Sequence, residues 1–348
     1  MSRKKVAVLG ASGIVGQRFC QLLSDHPFFD TPDLYSSQRS GNKKLLDILR
    51  VPEYSISDEL LHKKMELIDT EMIDRERYDV IFSALPSSME ENVELRLAEL
   101  GNRIFTNSAM NRMRSDVPIV VPEVNPDHME MVENRPGFII ANGNCSSIGL
   151  ALPVRPLTVL SPVHVEVTTL QAVSGAGYPG VPSLDALGNV IPYIESEEEK
   201  ISSEVPKMLG TVKEGRITNS ALRIDATCMR VPVPEGHTES VAIRFKENVD
   251  LEKVRNLLIN FRALPQELKL PTAPKIPVIL DARNERPQPA LDLMNDGSGR
   301  TSGMAVTVGR LRVSEDTVRF VTLSHNTIRG AAGGSILNAE ILYSRGKL

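Results

Sequence analysis

One cysteine, in Asn142-Gly143-Asn144-Cys145-Ser146-Ser147, stands in a setting that suits covalent chemistry. An apolar strand from Phe138 to Ala141 leads into it, and a helix is expected to begin near Ser146. A thiol at a helix N-terminus feels the helix dipole and nearby backbone N–H groups, and both favour the nucleophilic thiolate. Asn144 and the local backbone could also supply donors to an oxyanion. A capped helix start with an incidental cysteine has the same pattern, so these residues alone leave both readings open. Far along the chain, Arg230-Val231-Pro232-Val233-Pro234-Glu235-Gly236-His237 places a cation, a proline-bearing turn and an imidazole in sequence. A histidine within reach of a thiol can hold it as thiolate and shuttle protons afterwards. His237 lies on a turn between strands, where catalysis concentrates, whereas His26, His62, His128 and His164 are read as structural.

A second kind of chemistry is suggested by Gly10-Ala11-Ser12-Gly13-Ile14-Val15-Gly16, between a first strand and a first helix. In that context glycines let backbone N–H groups approach a pyrophosphate at the positive helix end. The spacing departs from the common G-x-G-x-x-G, and a ligand-free glycine turn would look alike. The second strand ends in Tyr35-Ser36-Ser37-Gln38-Arg39-Ser40, with no acid to hold a ribose 2′-hydroxyl. Hydroxyls and an arginine suit a 2′-phosphate, which favours NADP, though a solvated loop has similar composition. Glu195 to Lys200 and the segment around Arg112 would pass as solvated surface, and Gln171 ends a strand just before the tight run Ser174-Gly175-Ala176-Gly177.

Positioning these groups requires particular elements. Strands at Lys5–Leu9, near Leu34–Tyr35, at Asp79–Leu85 and at Arg103–Thr106 alternate with helices, one running from the glycine turn to about His26. Another helix is expected to start at Ser87-Ser88 with Glu90-Glu91. This is the pattern of βαβ units and a parallel sheet. After about residue 150, long alternating runs at His164–Ser174, Ser220–Val233, Thr238–Lys246 and Ala305–Leu323 indicate a mainly antiparallel sheet. Helices are expected near 183–209 and 251–262, a surface connection over 264–300, and a final helix over 327–344 returning to the first domain.

Composition bounds the remainder. With 348 residues the chain is long enough for two domains, and 41% hydrophobic with 24% charged residues is ordinary for a globular protein. Trp is absent, so aliphatic residues and Met must build the core. A net charge of −4, without a clustered basic face, argues against nucleic acid as a partner. Neither a signal-peptide pattern nor a membrane-length apolar run is found, which points to the cytoplasm. Cys20, Cys145 and Cys228 form no C-x-x-C pair, so neither a disulfide framework nor a metal site is indicated.

Taken in order, these strings resemble one family along nearly the whole chain. They are the glycine turn, Phe82-Ser83-Ala84-Leu85-Pro86, Asn142-Gly143-Asn144-Cys145, Gln171 to Tyr178, Gly236-His237-Thr238-Glu239-Ser240 and His325-Asn326 to Gly333. The family is aspartate-semialdehyde dehydrogenase, in its archaeal and fungal branch. The resemblance implies an α/β fold: a Rossmann-like dinucleotide-binding domain (1–145 plus 327–348) and an α+β catalytic and dimerisation domain (146–326). It implies Cys145 as nucleophile, His237 as acid/base and Gln171 as the residue orienting substrate or thioester. Arg230 would hold the substrate carboxylate, Glu197 its amino group, and Lys200 and Arg112 the phosphate, with Asn144 beside them. NADP would lie against Gly10, Ser12, Gly13, Ile14, Val15, Gly16, Ser37, Arg39, Ser40, Ser83, Ala84, Leu85, Ser174, Gly175 and Asn326. The implied reaction reduces L-4-aspartyl phosphate to L-aspartate 4-semialdehyde with release of phosphate, in a homodimer or homotetramer. Malonyl-CoA reductase on the same scaffold, N-acetyl-glutamyl-phosphate reductase and a non-catalytic NADP sensor are the rival readings. Gly143 stands where the branch often has proline, which would loosen the turn before Cys145.

Overall fold

Short apolar runs such as Val6-Ala7-Val8-Leu9 and Phe138-Ile139-Ile140-Ala141 are buried on both faces, as strands of a covered parallel sheet must be. The computed structural model describes every residue except 1, 53–54, 71–72, 74–75, 88–91 and 295–296. Six strands form the first sheet: β1 (Val6–Leu9), β2 (Asp33–Ser36), β3 (Glu66–Leu67), β4 (Val80–Ser83), β5 (Arg103–Thr106) and β6 (Phe138–Ala141). All are parallel, in the order β3-β2-β1-β4-β5-β6 of doubly wound dinucleotide-binding sheets.

The second sheet has the order β10-β7-β11-β14-β13-β12, and a hairpin of β8 (Thr211–Lys213) and β9 (Arg216–Thr218) stands apart from it. Its strands are β7 (Pro162–Gln171), β10 (Arg223–Arg230), β11 (His237–Phe245), β12 (Val278–Asp281), β13 (Val306–Ser314) and β14 (Thr317–Ser324). The three central pairings are antiparallel and the pairing at each edge is parallel, so the sheet is mixed. The run 305–323 is a hairpin, broken where Glu315 takes a left-handed φ of 52°. The 264–300 connection contains β12, whose Val278 is buried in the core.

In chain order the helices are α1 (Ile14–Leu23), α2 (Asp58–His62), α3 (Val93–Glu99), α4 (Cys145–Val154) and α5 (Ser183–Ala186). They continue with α6 (Glu197–Met208), α7 (Leu251–Ile259), α8 (Leu264–Glu267), α9 (Pro289–Asp292) and α10 (Gly333–Ser344). The expected helix over 183–209 is thus two, because Gly188, with a φ of 68°, and Pro192 interrupt it. Helix α3 is capped by Asn92, whose side chain accepts from Leu95 N–H; Ser88, Glu90 and Glu91 lie outside the described residues.

Two cores result. Val6, Val8 and Phe82 pack with Phe19 of α1 and Ile336 and Leu337 of α10, so the C-terminal helix lies against the first sheet. On the opposite face, Ala7, Leu9 and Ile81 share a core with Ile148 and Leu152 of α4 and with Val167 and Val241 of the second sheet. Helix α4 is therefore apolar around its circumference, since it is wedged between two sheets.

Close packing of α1 on the first βα turn depends on Gly16. A Cβ there would stand 2.2 Å from the Gly10 carbonyl oxygen, whereas at Gly13 the nearest such atom is 3.5 Å away. Gly16→Ala is therefore expected to lose about 1–3 kcal/mol in urea unfolding, and Gly13→Ala less than about 1 kcal/mol. Equal losses at the two positions would show that this close approach is not what Gly16 provides.

Candidate active site

The nucleophile candidate sits where β6 ends and α4 begins. Asn144 caps the helix: its Oδ1 accepts from the N–H groups of Ser146 (3.0 Å) and Ser147 (3.2 Å). The Asn144 amide nitrogen donates to both oxygens of Glu197, at 3.1 and 2.9 Å. Its side chain is thus committed to the cap and to Glu197. Gly143 is closed in by packing, since a Cβ there would stand 2.1 Å from Met208 Cε. Gly330 is pressed against Cys145 in the same way, with only 2.7 Å from its would-be Cβ to that of Cys145.

The second sheet brings its residues to this point as rows across neighbouring strands. Arg230 pairs with Gln171, and at the same level His237 pairs with Ser324. The next row inward is Cys228, Thr169, Glu239 and Thr322, and the third is Ala226, Val167, Val241 and Phe320. Alternation along each strand puts all three rows on the face that carries α4. Polarity fades row by row towards the core. Glu239, in the middle row, is 1% exposed, and burial holds its carboxyl well above the usual range, which favours the neutral acid.

His237 Nε2 lies 3.1 Å from Cys145 Sγ, although the two residues are 92 apart in sequence. The Ala172 N–H donates to His237 Nδ1 at 3.1 Å, which makes Nε2 the protonated nitrogen of the neutral ring, facing sulfur. The Ala172 carbonyl accepts from Arg230 Nη1 at 2.8 Å, so the backbone of one residue fixes both side chains. Burial, then the Arg230 charge, depresses His237 to about 3. Burial first, and the Glu197 carboxylate second, push the Cys145 thiol up to about 12, while Arg112, the Ser146 N–H and Arg230 pull it down. The helix N-terminus acts in the direction the sequence suggests, but burial and an adjacent carboxylate outweigh it. At rest this is a neutral thiol–imidazole pair.

Glu197 is the second hub. It accepts from Asn144, from Lys200 Nζ at 2.9 Å and from Gln171 Nε2 at 3.2 Å. Burial works against its charge, but the hydrogen bond and charge of Lys200, with Asn144 and Gln171, hold it below the usual carboxylate range. Arg112 is buried, with Nη1 on Glu204 at 3.0 Å and Nη2 on the Asn107 carbonyl at 2.7 Å.

A cavity of about 340 Å³ collects these groups. Arg112, Asn144, Cys145, Gln171, Glu197 and Lys200 line one end, and Gly13, Ile14, Val15, Ala84, Ser174, Gly175 and Asn326 line the other. Arg230 and His237 stand behind Gly175, whose would-be Cβ is 2.7 Å from Arg230 Nη1 and 3.2 Å from His237 Cε1. A larger surface groove of about 710 Å³ between Arg262, Leu270 and Ser298 includes none of these residues.

The dinucleotide end fits a phosphate-bearing cofactor. Helix α1 starts at Gly13 with no side-chain cap and no acid in its first turn, so its first N–H groups meet the cavity unopposed. Gly10 has a φ of 78°, and a Cβ there would stand 2.7 Å from the Ala84 carbonyl oxygen. Asn326 is held by two bonds, from Gly236 N–H and to Ser174 Oγ, both at 2.9 Å. Other residues are placed elsewhere. Ser83 donates at 2.6 Å to Glu94, a buried carboxylate that also takes Thr106 and Asn111, and Leu85 packs in the core. Ser12, Gly16, Ser37, Arg39 and Ser40 are not among the described lining residues; Ser37 and Arg39 are exposed, and Ser40 is buried.

Of the other histidines, His26 bonds Glu340, and His128 bonds Asn125 and the Gly210 carbonyl, both in the core. His62 and His164 pair with surface carboxylates. Glu94 and Glu204 also organise the site, and no local pattern singles out Glu94. For Glu204, a repeat of acid-x-x-Lys seven residues after Glu197 is the one signal that could have done so.

A thiol–imidazole pair at a cation-lined cavity, beside a dinucleotide-binding sheet, defines the semialdehyde dehydrogenase class. Residues 5–132 match the family model described as semialdehyde dehydrogenase, NAD binding domain, and residues 153–329 match semialdehyde dehydrogenase, dimerisation domain. The chain belongs to the aspartate-semialdehyde dehydrogenase family. It is 42% identical to the aspartate-semialdehyde dehydrogenase of Methanothermobacter thermautotrophicus, over 97% of this chain and 98% of that one. The malonyl CoA reductase (NADP) of Metallosphaera sedula is 36% identical, over 98% and 97% of the two chains. The crystal structure of aspartate semialdehyde dehydrogenase with NADP from Candida albicans superposes with a TM-score of 0.88 at 36% identity, covering 99% of this chain and 100% of that one. Among the described residues no helix is long and apolar enough to cross a membrane.

Because Glu197 raises the Cys145 thiol while Arg112 and Arg230 lower it, their removal should move thiol reactivity in opposite directions. In Glu197→Gln the pH profile of Cys145 alkylation by iodoacetamide is expected to shift to lower pH, and in Arg112→Gln or Arg230→Gln to higher pH. A shift to higher pH in Glu197→Gln would contradict this account of the site.

Proposed function

We propose that the chain catalyses the NADPH-dependent reduction of L-4-aspartyl phosphate to L-aspartate 4-semialdehyde and phosphate, a step toward lysine, threonine, methionine and isoleucine. The observation that carries this reading is the 3.1 Å contact of Cys145 Sγ with His237 Nε2, beside a wall that holds Arg112, Lys200 and Glu197, with Arg230 behind Gly175. In this reading residues 1–145 with 327–348 form the NADP-binding domain and 146–326 the catalytic and dimerisation domain, with the site built where they meet.

Arg230 receives the substrate α-carboxylate and Glu197 its ammonium group, with Arg112 and Lys200 on the phosphate. So oriented, the acyl carbon faces Sγ. The Sγ–H proton passes to the departing phosphate as sulfur forms the new C–S bond, and the C–O bond to phosphate breaks with its electron pair leaving on phosphate, which the two cations stabilise. A thioester on Cys145 remains, held by Gln171. NADPH, when bound along Gly13, Ser174, Gly175 and Asn326, supplies the hydride. The C–S bond then breaks, and sulfur leaves with the pair as thiolate, which takes up a proton from water to restore the thiol. His237 Nε2–H is the donor that stabilises negative charge on sulfur and on the neighbouring oxygen, so its acid/base role is exercised from the acid side of that nitrogen. The Cys145 N–H at the start of α4 is the second oxyanion donor.

We further assign a homodimer, or a homotetramer built from it, to the second domain. Leu170, Leu184, Leu187 and Tyr193 are exposed apolar side chains within the dimerisation match, and an uncovered patch of this kind is read as a contact between copies. Leu184→Asp with Leu187→Asp should lower the mass measured by light scattering; an unchanged mass would move the contact elsewhere.

The decisive assay is phosphate-dependent NADP+ reduction with L-aspartate semialdehyde. Cys145→Ala is expected to lose at least about three orders of magnitude in kcat, and His237→Ala about 10²–10⁴-fold. A wild type silent here but oxidising NADPH with malonyl-CoA would overturn the substrate and keep the scaffold. Silence with both, with NADPH still bound, would leave a sensor.

A further inference from the structure

Helix α6 carries the acid-x-x-Lys spacing twice. Glu204-Val205-Pro206-Lys207 repeats Glu197-Glu198-Glu199-Lys200 seven residues on, about two helical turns, so both pairs fall on one face. Glu197 and Lys200 line the cavity, and the second pair lies behind it, where Arg112 arrives. Glu204 is 2% exposed and divides its oxygens between two elements of the site. Its Oε1 accepts from Arg112 Nη1 at 3.0 Å, and its Oε2 accepts from the Asn144 backbone N–H at 2.6 Å. Lys207 Nζ donates to the carbonyls of Arg112 (2.6 Å), Arg114 (2.9 Å) and Val117 (2.9 Å).

We propose that Glu204 and Lys207 are positioning residues for an anionic phosphate subsite: Glu204 aims the Arg112 guanidinium and ties it to the backbone N–H of the residue preceding Cys145, while Lys207 grips the Arg112 turn by its backbone. This rests on the phosphate-using reading of the cavity. The need for such a device is geometric. The carbon attacked by sulfur is one bond from the oxygen that leaves with phosphate, so the distance from the phosphate ligand to Sγ must be set, and by rigid groups. One carboxylate bonded to both Arg112 and Asn144 sets it directly. A guanidinium buried without a counter-charge would also be costly, and would turn towards any acceptor it could reach. With Nη1 on Glu204 and Nη2 on the Asn107 carbonyl, its plane is fixed. Arg112 Nε, buried and without a partner among the described groups, is left as a donor.

Two readouts on the full-length enzyme test this. Protection of Cys145 from iodoacetamide by inorganic phosphate reports binding without turnover, and the phosphate KM in the oxidative direction reports it during turnover. In Glu204→Gln one oxygen cannot serve both donors. The half-protecting phosphate concentration and the phosphate KM should both rise about 10-fold or more, with the NADP+ KM changed less than about 2-fold. Glu204→Asp keeps the charge but draws it back by one methylene, and should fall between wild type and Glu204→Gln. Adding Glu204→Gln to Arg112→Gln should weaken phosphate no further than Arg112→Gln alone, because the effect passes through Arg112. An unchanged phosphate KM in Glu204→Gln, or additive losses in the double variant, overturns the positioning role. A wild-type Cys145 that phosphate does not protect overturns the reading of the cavity itself, which keeps the two failures apart.

Discussion

The site hangs on three of the hydrogen-bonding groups of Asn144. Its side-chain oxygen starts α4, its amide nitrogen holds Glu197, and its backbone N–H holds Glu204. Through Glu197 it reaches Lys200 and Gln171, and through Glu204 it reaches Arg112. Each group has its partner, so the residue has little freedom to move independently of the rest. The nucleophile follows immediately, and its position relative to every charged group is therefore inherited from one cap. Gly330, packed on Cys145 from the other side, closes the arrangement.

Charge in the cavity follows from the same contacts. Three cations, Arg112, Lys200 and Arg230, share two carboxylates, Glu197 and Glu204, so a positive excess awaits an anion. The reacting pair itself stays neutral, because burial disfavours both the thiolate and the imidazolium. Negative charge is thus kept off sulfur in the resting site. A phosphate-bearing substrate would bring its own charge to the cations without a standing thiolate beside it. The cross-strand rows serve the same end. The catalytic row is backed by one of intermediate polarity, where burial disfavours the charge on Glu239, before the apolar core begins.

Much of the fold is legible locally. β5 and β6 follow from their apolar runs, and α4 follows from a cap and a following apolar stretch, because these signals act between near neighbours. The hairpin between β13 and β14 is not legible, since a left-handed Glu315 interrupts a continuous alternating run with no glycine or proline to mark it. β12 is hidden because its flanks are rich in proline and charge, and pairing with β13, not composition, makes it a strand. Helix α6 looks like a solvated face, since four charged residues in succession mask the side that is buried.

The sequence by itself determined the residue types, their order and the short elements that carry them: the glycine turn before α1, the Asn cap before Cys145, and the proline-bearing turn before His237. These depend on contacts spanning a few residues, which a linear reading contains. Only the tertiary structure decided which groups meet. Sγ and Nε2, like Arg112 and Glu204, are 92 residues apart, and no local rule links them. It also decided the protonation of the pair, because a buried group's charge cost sums over all neighbours at once, and those neighbours come from both sheets.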